Sequence, residues 1–261
     1  METIEGKIAL VTGASRGIGA AIAKTLAEEG ATVIVNYHSN DERALETKSA
    51  IDALGKKPTM LAKADVGNQE AVQSMFQQIT EKYGRLDILV NNAGTKGPIG
   101  SLETVPLEEL QEVMQTNFWG PLYTTRAALP LMKQNKFGRL VYLSIELVER
   151  PAIKLMGYGA SKAALNALSN SVAVENGAYG ITSNIITPGP TDTDLNHHVA
   201  EIYKNDPSLL RDHFMIPSMA PAEAVGQTVA MICKNPYLTA QNIFVDHGCQ
   251  RKYIIPRSKV K

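Results

Sequence analysis

Short apolar runs and helically spaced apolar residues alternate along this chain from residue 7 to about residue 246. Ile8–Val11 reads as a short buried strand. Thr32–Val35, Leu86–Val90, Leu140–Leu143 and Ile181–Ile186 read the same way, and Asn242–Asp246 is the last such run. Between the strands the spacing changes. Ile18, Ile22 and Leu26 fall four apart and stop at Gly30, as a helix stripe does. Ser39-Asn40-Asp41-Glu42 has the form of a capping box and opens a helix that ends near Gly55. Val72, Met75, Phe76, Ile79 and Tyr83 line one face of a third helix, which stops at Gly84. Strands apolar on both faces and separated by helices pair in parallel through right-handed crossovers. The pattern therefore predicts an α/β chain with one doubly wound, mainly parallel sheet and helices on both faces, in a single domain over residues 1–250.

The stretch 191–220 breaks this rhythm. It is polar, carries Pro207 and Pro217, and lies past the carboxyl end of a strand. Ligands bind on that side of an open α/β sheet, so this segment reads as a substrate-covering lid.

Composition narrows the classes. With 26 basic and 26 acidic residues among 261, no net field draws in nucleic acid or an anionic membrane. Cys233 and Cys249 make no C-x-x-C pair, which argues against a disulfide framework or a zinc ribbon. Residues 1–7 hold no apolar core of a secretory signal, and no apolar run approaches the roughly 18–20 residues of a membrane span. The expectation is a soluble, cytoplasmic protein.

Chemistry enters at Thr12-Gly13-Ala14-Ser15-Arg16-Gly17-Ile18-Gly19, between the first strand and the first helix. Its three glycines permit a tight turn and a close backbone approach, so that a pyrophosphate can rest on the helix N-terminus. Their spacing of four and then two differs from G-x-G-x-x-G, yet the strand–turn–helix context is that of a Rossmann dinucleotide site. The turn matches T-G-x-x-x-G-x-G of the short-chain dehydrogenase/reductase family, which the chain resembles nearly end to end. Asn91-Asn92-Ala93-Gly94 is similar to that family's N-N-A-G segment, and Tyr158-Gly159-Ala160-Ser161-Lys162 to its Y-x-x-x-K. Pro188-Gly189, with Thr191 and Thr193 beyond it, resembles the turn that meets the nicotinamide, and Asp65-Val66 the pair beside the adenine.

The resemblance also bears on which dinucleotide. NAD-preferring relatives end the second strand with an acid that grips the adenosine ribose, and Tyr37 takes that place here. Without the carboxylate a 2′-phosphate is not repelled, and Arg16 can pair with it, helped by His38 and Ser39. NADP(H) is favoured over NAD(H); with Arg16 merely solvated, NAD(H) is the alternative.

Tyr158 and Lys162, four apart, share a helix face. The family uses this tyrosine as general acid/base and the lysine as its modulator and ribose ligand. A nearby ammonium favours the phenolate, and bringing a phenol from about 10 to about 7 asks for roughly 4 kcal/mol. Asn117 matches the asparagine that holds a relay water. The family's serine, thirteen residues before the tyrosine, falls on Ile145, with Ser144 just before it. Either Ser144 takes over, or the serine is dispensable, or the chemistry has changed with Glu146, Glu149 and Arg150 nearby. A one-residue shift along a strand reverses the facing, so the first option requires a bulge or the strand's end.

The remaining candidates are weaker. His197 and His198 with Asp192 and Asp194 read as polar lid residues, so no metal is expected. His247 and Cys249 lack an identifiable base or orienting partner. Met114, Phe118, Trp119, Leu122 and Tyr123 lie on a helix that in the family packs against a second subunit, implying a homodimer or homotetramer. Arg251–Lys261 reads as a basic tail. The resemblance thus implies an NADP(H)-dependent oxidoreductase that reduces a carbonyl, or oxidises an alcohol, of a small to medium organic substrate by hydride transfer. The rivals are a lyase, cyclase or isomerase on the same fold, and a non-catalytic NADP-binding sensor or partner subunit.

Overall fold

The computed structural model describes residues 1–193 and 197–249. Among these, the strands are β1 (Ile8–Val11), β2 (Thr32–Tyr37), β3 (Met60–Lys63), β4 (Ile88–Asn91), β5 (Gly138–Leu143), β6 (Ile181–Pro188) and β7 (Asn242–Val245). They form a seven-stranded sheet in the order β3-β2-β1-β4-β5-β6-β7, and every neighbouring pair is parallel. The strand runs anticipated six of the seven. Met60–Lys63 escapes because it is an edge strand with only Ala62 buried, so it carries no continuous apolar run.

The helices are α1 (Gly17–Glu28), α2 (Asp41–Asp52), α3 (Gln69–Tyr83), α4 (Leu107–Met114), α5 (Gly120–Asn135), α6 (Met156–Asn176), α7 (His197–Asn205), α8 (Ser208–His213) and α9 (Ala222–Lys234). The predicted stripe of α3 is in place, with Val72, Met75, Phe76 and Ile79 all buried and Gly84 in the left-handed conformation that ends the helix. α2 departs from the predicted capping box. It starts one residue later, and Asn40 rather than Ser39 caps it by accepting the Arg43 N–H at 2.9 Å. The described part of 191–220 holds α7 and α8, and a bridge pairs Thr191 with Ala220.

Two apolar layers cover the sheet. Ala9 and Val11 of β1 pack with Ile22 and Leu26 of α1 and Val225 and Val229 of α9. Ile8 and Leu10 point the other way, into a layer with Phe76 and Ile79 of α3, Met132 of α5 and Leu165 of α6. The alternation along one strand thus serves both helical layers. The strand order reverses between β1 and β4, and a crevice opens at the carboxyl ends of the strands there.

Asn36 of β2 fixes the loops at this crevice. Its Oδ1 accepts the Gly13 N–H at 3.2 Å, its carbonyl accepts the Ala14 N–H at 2.8 Å, and its Nδ2 donates to the carbonyls of Ala62 and Ala64, each at 3.0 Å. Asn36→Ala strands a buried carbonyl pair and loosens the turn after β1. Its expected cost is about 2–4 kcal/mol in urea unfolding, and a loss below about 0.5 kcal/mol contradicts the role.

Candidate active site

The turn after β1 and the loop after β4 are packed as one unit. Gly13 has φ +61°, and a Cβ there would lie 2.8 Å from the Ala93 Cα. A Cβ on Gly19 would lie 2.5 Å from Asn92 Nδ2. Asn92 and Ala93 donate their N–H groups to Thr12 Oγ1, each at 3.0 Å, and Asn92 Nδ2 donates to the carbonyls of Thr12 at 2.9 Å and Gly13 at 3.1 Å. The two motifs recognised separately in the sequence are therefore a single hydrogen-bonded object.

α1 begins at this object and differs from its neighbours. Asn40 and Asn68 side chains cap α2 and α3, whereas the N-cap of α1 is Arg16, extended and with no side-chain cap, and its first turn holds no acid. Its leading N–H groups are left for an anion.

A cavity of about 890 Å³ opens in front of them. Gly13, Ser15, Arg16, Gly17, Ile18 and Gly19 all border it. So do Tyr37, His38 and Ser39 at the end of β2, Asp65 and Val66 after β3, and Asn92, Ala93 and Gly94 after β4. Pro188, Gly189 and Thr193 border it after β6, and Tyr158 and Lys162 from α6. Two expected members do not form the wall. Thr191 is buried at the base of the segment 191–220, with its Oγ1 donating to the Gly189 carbonyl at 3.0 Å. Asn117 is also buried, its amide bonded to the Thr95 backbone and the Ser161 hydroxyl. Tyr203 of α7 borders the cavity too; nothing in the polar sequence of 191–220 marked it.

At the β2 end, Tyr37 is buried and its hydroxyl donates to Asp41 Oδ1 at 2.8 Å. Lys63 grips the same carboxylate at 2.8 and 3.0 Å and, with Tyr37, holds it ionised below the usual carboxylate range. The nearest acid is thus neutralised by Lys63, outside the cavity wall, while Arg16, His38 and Ser39 stand exposed at the opening.

α6 sets Tyr158 and Lys162 one turn apart, with Lys162 Nζ 6.0 Å from the Tyr158 ring centre. Lys162 Nζ donates to the Leu143 carbonyl at 2.7 Å, and burial lowers its pKa to about 8. Tyr158 contradicts the expectation of a lowered phenol. Burial, and then the charge of Glu146, push its pKa up. The ammonium is turned to a backbone carbonyl and does not offset the desolvation of the phenolate. Asn117 sits in a π-helical turn, Gln115–Trp119, between α4 and α5. It accepts the Thr95 N–H at 2.9 Å and donates to the Thr95 carbonyl at 2.8 Å and Ser161 Oγ at 3.0 Å. A Cβ on Gly94 would lie 3.1 Å from Asn117 Oδ1 and 3.3 Å from Lys162 Nζ, so the backbone here passes close against these two groups.

The departure at Ile145 resolves into geometry. β5 ends at Leu143, and Ser144 N–H makes one further bond to the Ile186 carbonyl at 2.9 Å. Ile145 then leads into a 3-10 turn, Glu146–Val148. Because the strand is over, facing no longer alternates strictly, and Ser144, Ile145 and Glu146 all border the cavity. Ser144 is 3% exposed and its Oγ has no hydrogen-bond partner in the protein. Arg150, three residues beyond Leu147, donates to the carbonyl and Sγ of Cys249.

Among the described residues no cluster of His, Cys, Asp or Glu suits a metal ion, and no helix is long and apolar enough to cross a membrane. Asp194, the side chains of His197 and His198, and the tail Arg251–Lys261 lie outside the described residues.

Comparison with known proteins agrees with this geometry. The family model for short chain dehydrogenases matches residues 7–204. The chain is 32% identical over 250 residues to glucose 1-dehydrogenase 2 of Bacillus subtilis, covering 94% of this chain and 95% of that protein. Among solved structures, a short chain dehydrogenase from Burkholderia cenocepacia in complex with NADP superposes with a TM-score of 0.85 at 34% identity, covering 95% of this chain and 99% of that one. A short-chain type dehydrogenase/reductase from Mycobacterium marinum gives a TM-score of 0.87 at 28% identity, covering 95% and 97%.

Lys162 also gives a pH signature of folding. Its folded pKa, about 8, is below the ordinary 10.5, so between those values the unfolded chain holds a proton that the folded chain lacks. The burial penalty is full below pH 8 and is relieved as pH rises through this window. Wild-type stability relative to Lys162→Met is therefore expected to increase from pH 8 to pH 10 in matched denaturant titrations; a flat or falling difference refutes the shift.

Proposed function

This chain belongs to the short-chain dehydrogenase/reductase family, and we propose that it is an NADP(H)-dependent oxidoreductase that reduces the carbonyl of a small to medium organic substrate, or runs the reverse alcohol oxidation. The observation that carries the reading is that Tyr158 and Lys162 border the same cavity as the uncapped start of α1. The residues present fit a dinucleotide. The close approach at Gly13 and Gly19 allows backbone to meet a pyrophosphate, and the free N–H groups of α1 face it. Arg16, with His38 and Ser39, would hold a 2′-phosphate, since no acid borders the cavity at Tyr37 to repel it. Asp65 and Val66 would flank the adenine, and Asn92, Ala93, Gly94, Pro188, Gly189, Thr191 and Thr193 would shape the nicotinamide end.

Bound there, the dihydronicotinamide supplies a hydride to the carbonyl carbon. The protein supplies the proton. Burial keeps the Tyr158 phenol protonated, the form that a reduction consumes at the carbonyl oxygen. Lys162 offers the ribose hydroxyls a cation already oriented by the Leu143 carbonyl, and Asn117, braced on Thr95, stands against it across Gly94 as the holder of a relay water. Ser144 takes the serine's part. Its buried, unpartnered hydroxyl is the donor available to the substrate oxygen, and Ile145 is a wall. The exposed face of Trp119, 41% accessible and stacked on Tyr123, fits the homodimer or homotetramer expected of this family.

NADPH is expected to bind at least about tenfold more tightly than NADH, with Arg16→Ala closing most of the gap; equal affinities in the wild type refute the NADP(H) assignment. In a carbonyl panel, Tyr158→Phe is expected to cut kcat by about 10²–10⁴ while NADPH affinity holds. Ser144→Ala should cost about 10²–10³, the scale of one lost oxyanion donor, and Ile145→Ala less than about tenfold. The reverse ranking of the last two returns the serine's role elsewhere.

A further inference from the structure

Between Tyr158 and Lys162 the sequence carries Ser161, a hydroxyl that the hydride chemistry leaves without a task. It follows Tyr158 by three residues on α6, so it shares the helix face that the tyrosine occupies. Ser161 is fully buried and does not border the cavity. Its Oγ donates to the Tyr158 carbonyl at 2.8 Å, the back-bond that a serine inside a helix makes to the preceding turn. A serine hydroxyl has one proton. With that proton spent on α6, Oγ can only accept at Asn117, and it does so from Nδ2 at 3.0 Å.

The hydrogen-bond count then closes at Asn117. One Nδ2 proton goes to the Thr95 carbonyl at 2.8 Å and the other to Ser161. Oδ1 accepts the Thr95 N–H at 2.9 Å and keeps a second lone pair. That oxygen and Lys162 Nζ flank the same point, 3.1 and 3.3 Å from where a Cβ on Gly94 would stand. The two ties on the amide do different things. Thr95 belongs to the loop after β4, and its N–H and carbonyl together decide which end of the amide is oxygen. Ser161 belongs to the helix that carries Tyr158 and Lys162, and among the described residues its hydroxyl is what bonds the Asn117 side chain to that helix. Asn117 itself stands in the π-helical turn, outside the regular spacing of α4 and α5, so the bond to Ser161 sets its distance from α6 where helix geometry does not.

Resting on the oxidoreductase reading above, we infer that Ser161 is a positioning residue, which bonds Asn117 to the helix of the acid/base pair and so keeps Asn117, Lys162 and Tyr158 in one relative placement. It touches neither the cofactor site nor the substrate, and acts through Asn117.

The test takes a carbonyl compound that the wild type reduces with NADPH and follows kcat, KM, NADPH affinity and thermal midpoint in each variant. Ser161→Ala is expected to lower kcat about tenfold, with KM and NADPH affinity within about twofold of wild type, because misplacing a reacting array costs rate before it costs binding. Ser161→Thr keeps a hydroxyl able to bond the preceding turn, and is expected to bring kcat back to within about threefold of wild type. In an Asn117→Ala background, removing the Ser161 hydroxyl should cost less than about twofold, since its effect passes through Asn117. Thermal midpoint and NADPH affinity show which variants are folded, and where one of them is not, the remaining comparisons decide. An unchanged kcat in Ser161→Ala, or a loss confined to KM or to the thermal midpoint, overturns the inference. So does a folded Ser161→Thr no faster than the alanine variant, or losses that add with Asn117→Ala. Each of these leaves the oxidoreductase reading standing. A wild type that reduces no carbonyl compound with NADPH removes both.

Discussion

The contact on which the rest of this molecule depends is the one between the turn after β1 and the loop after β4. Four hydrogen bonds run from Asn92 and Ala93 to Thr12 and Gly13 across it, and Gly13 and Gly19 bring backbone closer than any side chain allows. Because β1 and β4 are adjacent where the strand order reverses, this contact joins the two halves of the sheet at the one edge where a crevice must open. Between those glycines the N-cap of α1, Arg16, makes no side-chain cap and leaves the helix start to the cavity. Packing and ligand geometry are thus one requirement, and a side chain at either position would violate both.

Desolvation is the second organising force, and it acts on the paired residues of α6 in opposite senses. It drives Tyr158 toward its neutral phenol and Lys162 toward its neutral amine. The two groups therefore do not form the simple phenolate–ammonium pair that four-residue spacing suggests. Lys162 is oriented by Leu143 at the end of β5, and Glu146 on the following turn adds to the pressure on Tyr158. The end of β5 consequently sets the state of both groups as well as presenting Ser144. Residues separated by up to 19 positions in sequence act here as one electrostatic assembly.

What was legible in the sequence follows from which interactions are local. Strands buried on both faces leave an unbroken apolar run, so β1, β2, β4, β5 and β6 announced themselves, while edge strand β3, with only Ala62 buried, did not. The helix stripe of α3 was visible because its burial repeats every turn. The glycine turn and the Tyr158–Lys162 spacing are local patterns too. Asn36 was silent: its role comes from reaching Gly13, Ala62 and Ala64, which no spacing rule relates. Ile145 raised the right question in the sequence, but whether Ser144 also reaches the cavity depends on where β5 stops, a three-dimensional fact. The direction of the Tyr158 shift was misjudged for the same reason, since burial is a property of the packed chamber.

The central claim is that this cavity passes a hydride from a reduced nicotinamide to a carbonyl carbon while Tyr158 gives the proton. NADPH deuterated at the nicotinamide C4 tests it most directly, with the alcohol product read by mass spectrometry. The account predicts that the product gains one deuterium, bonded to the former carbonyl carbon, in step with NADPH consumed, and that Tyr158→Phe suppresses both together. Product formed without deuterium, or formed with no NADPH consumed, would contradict it.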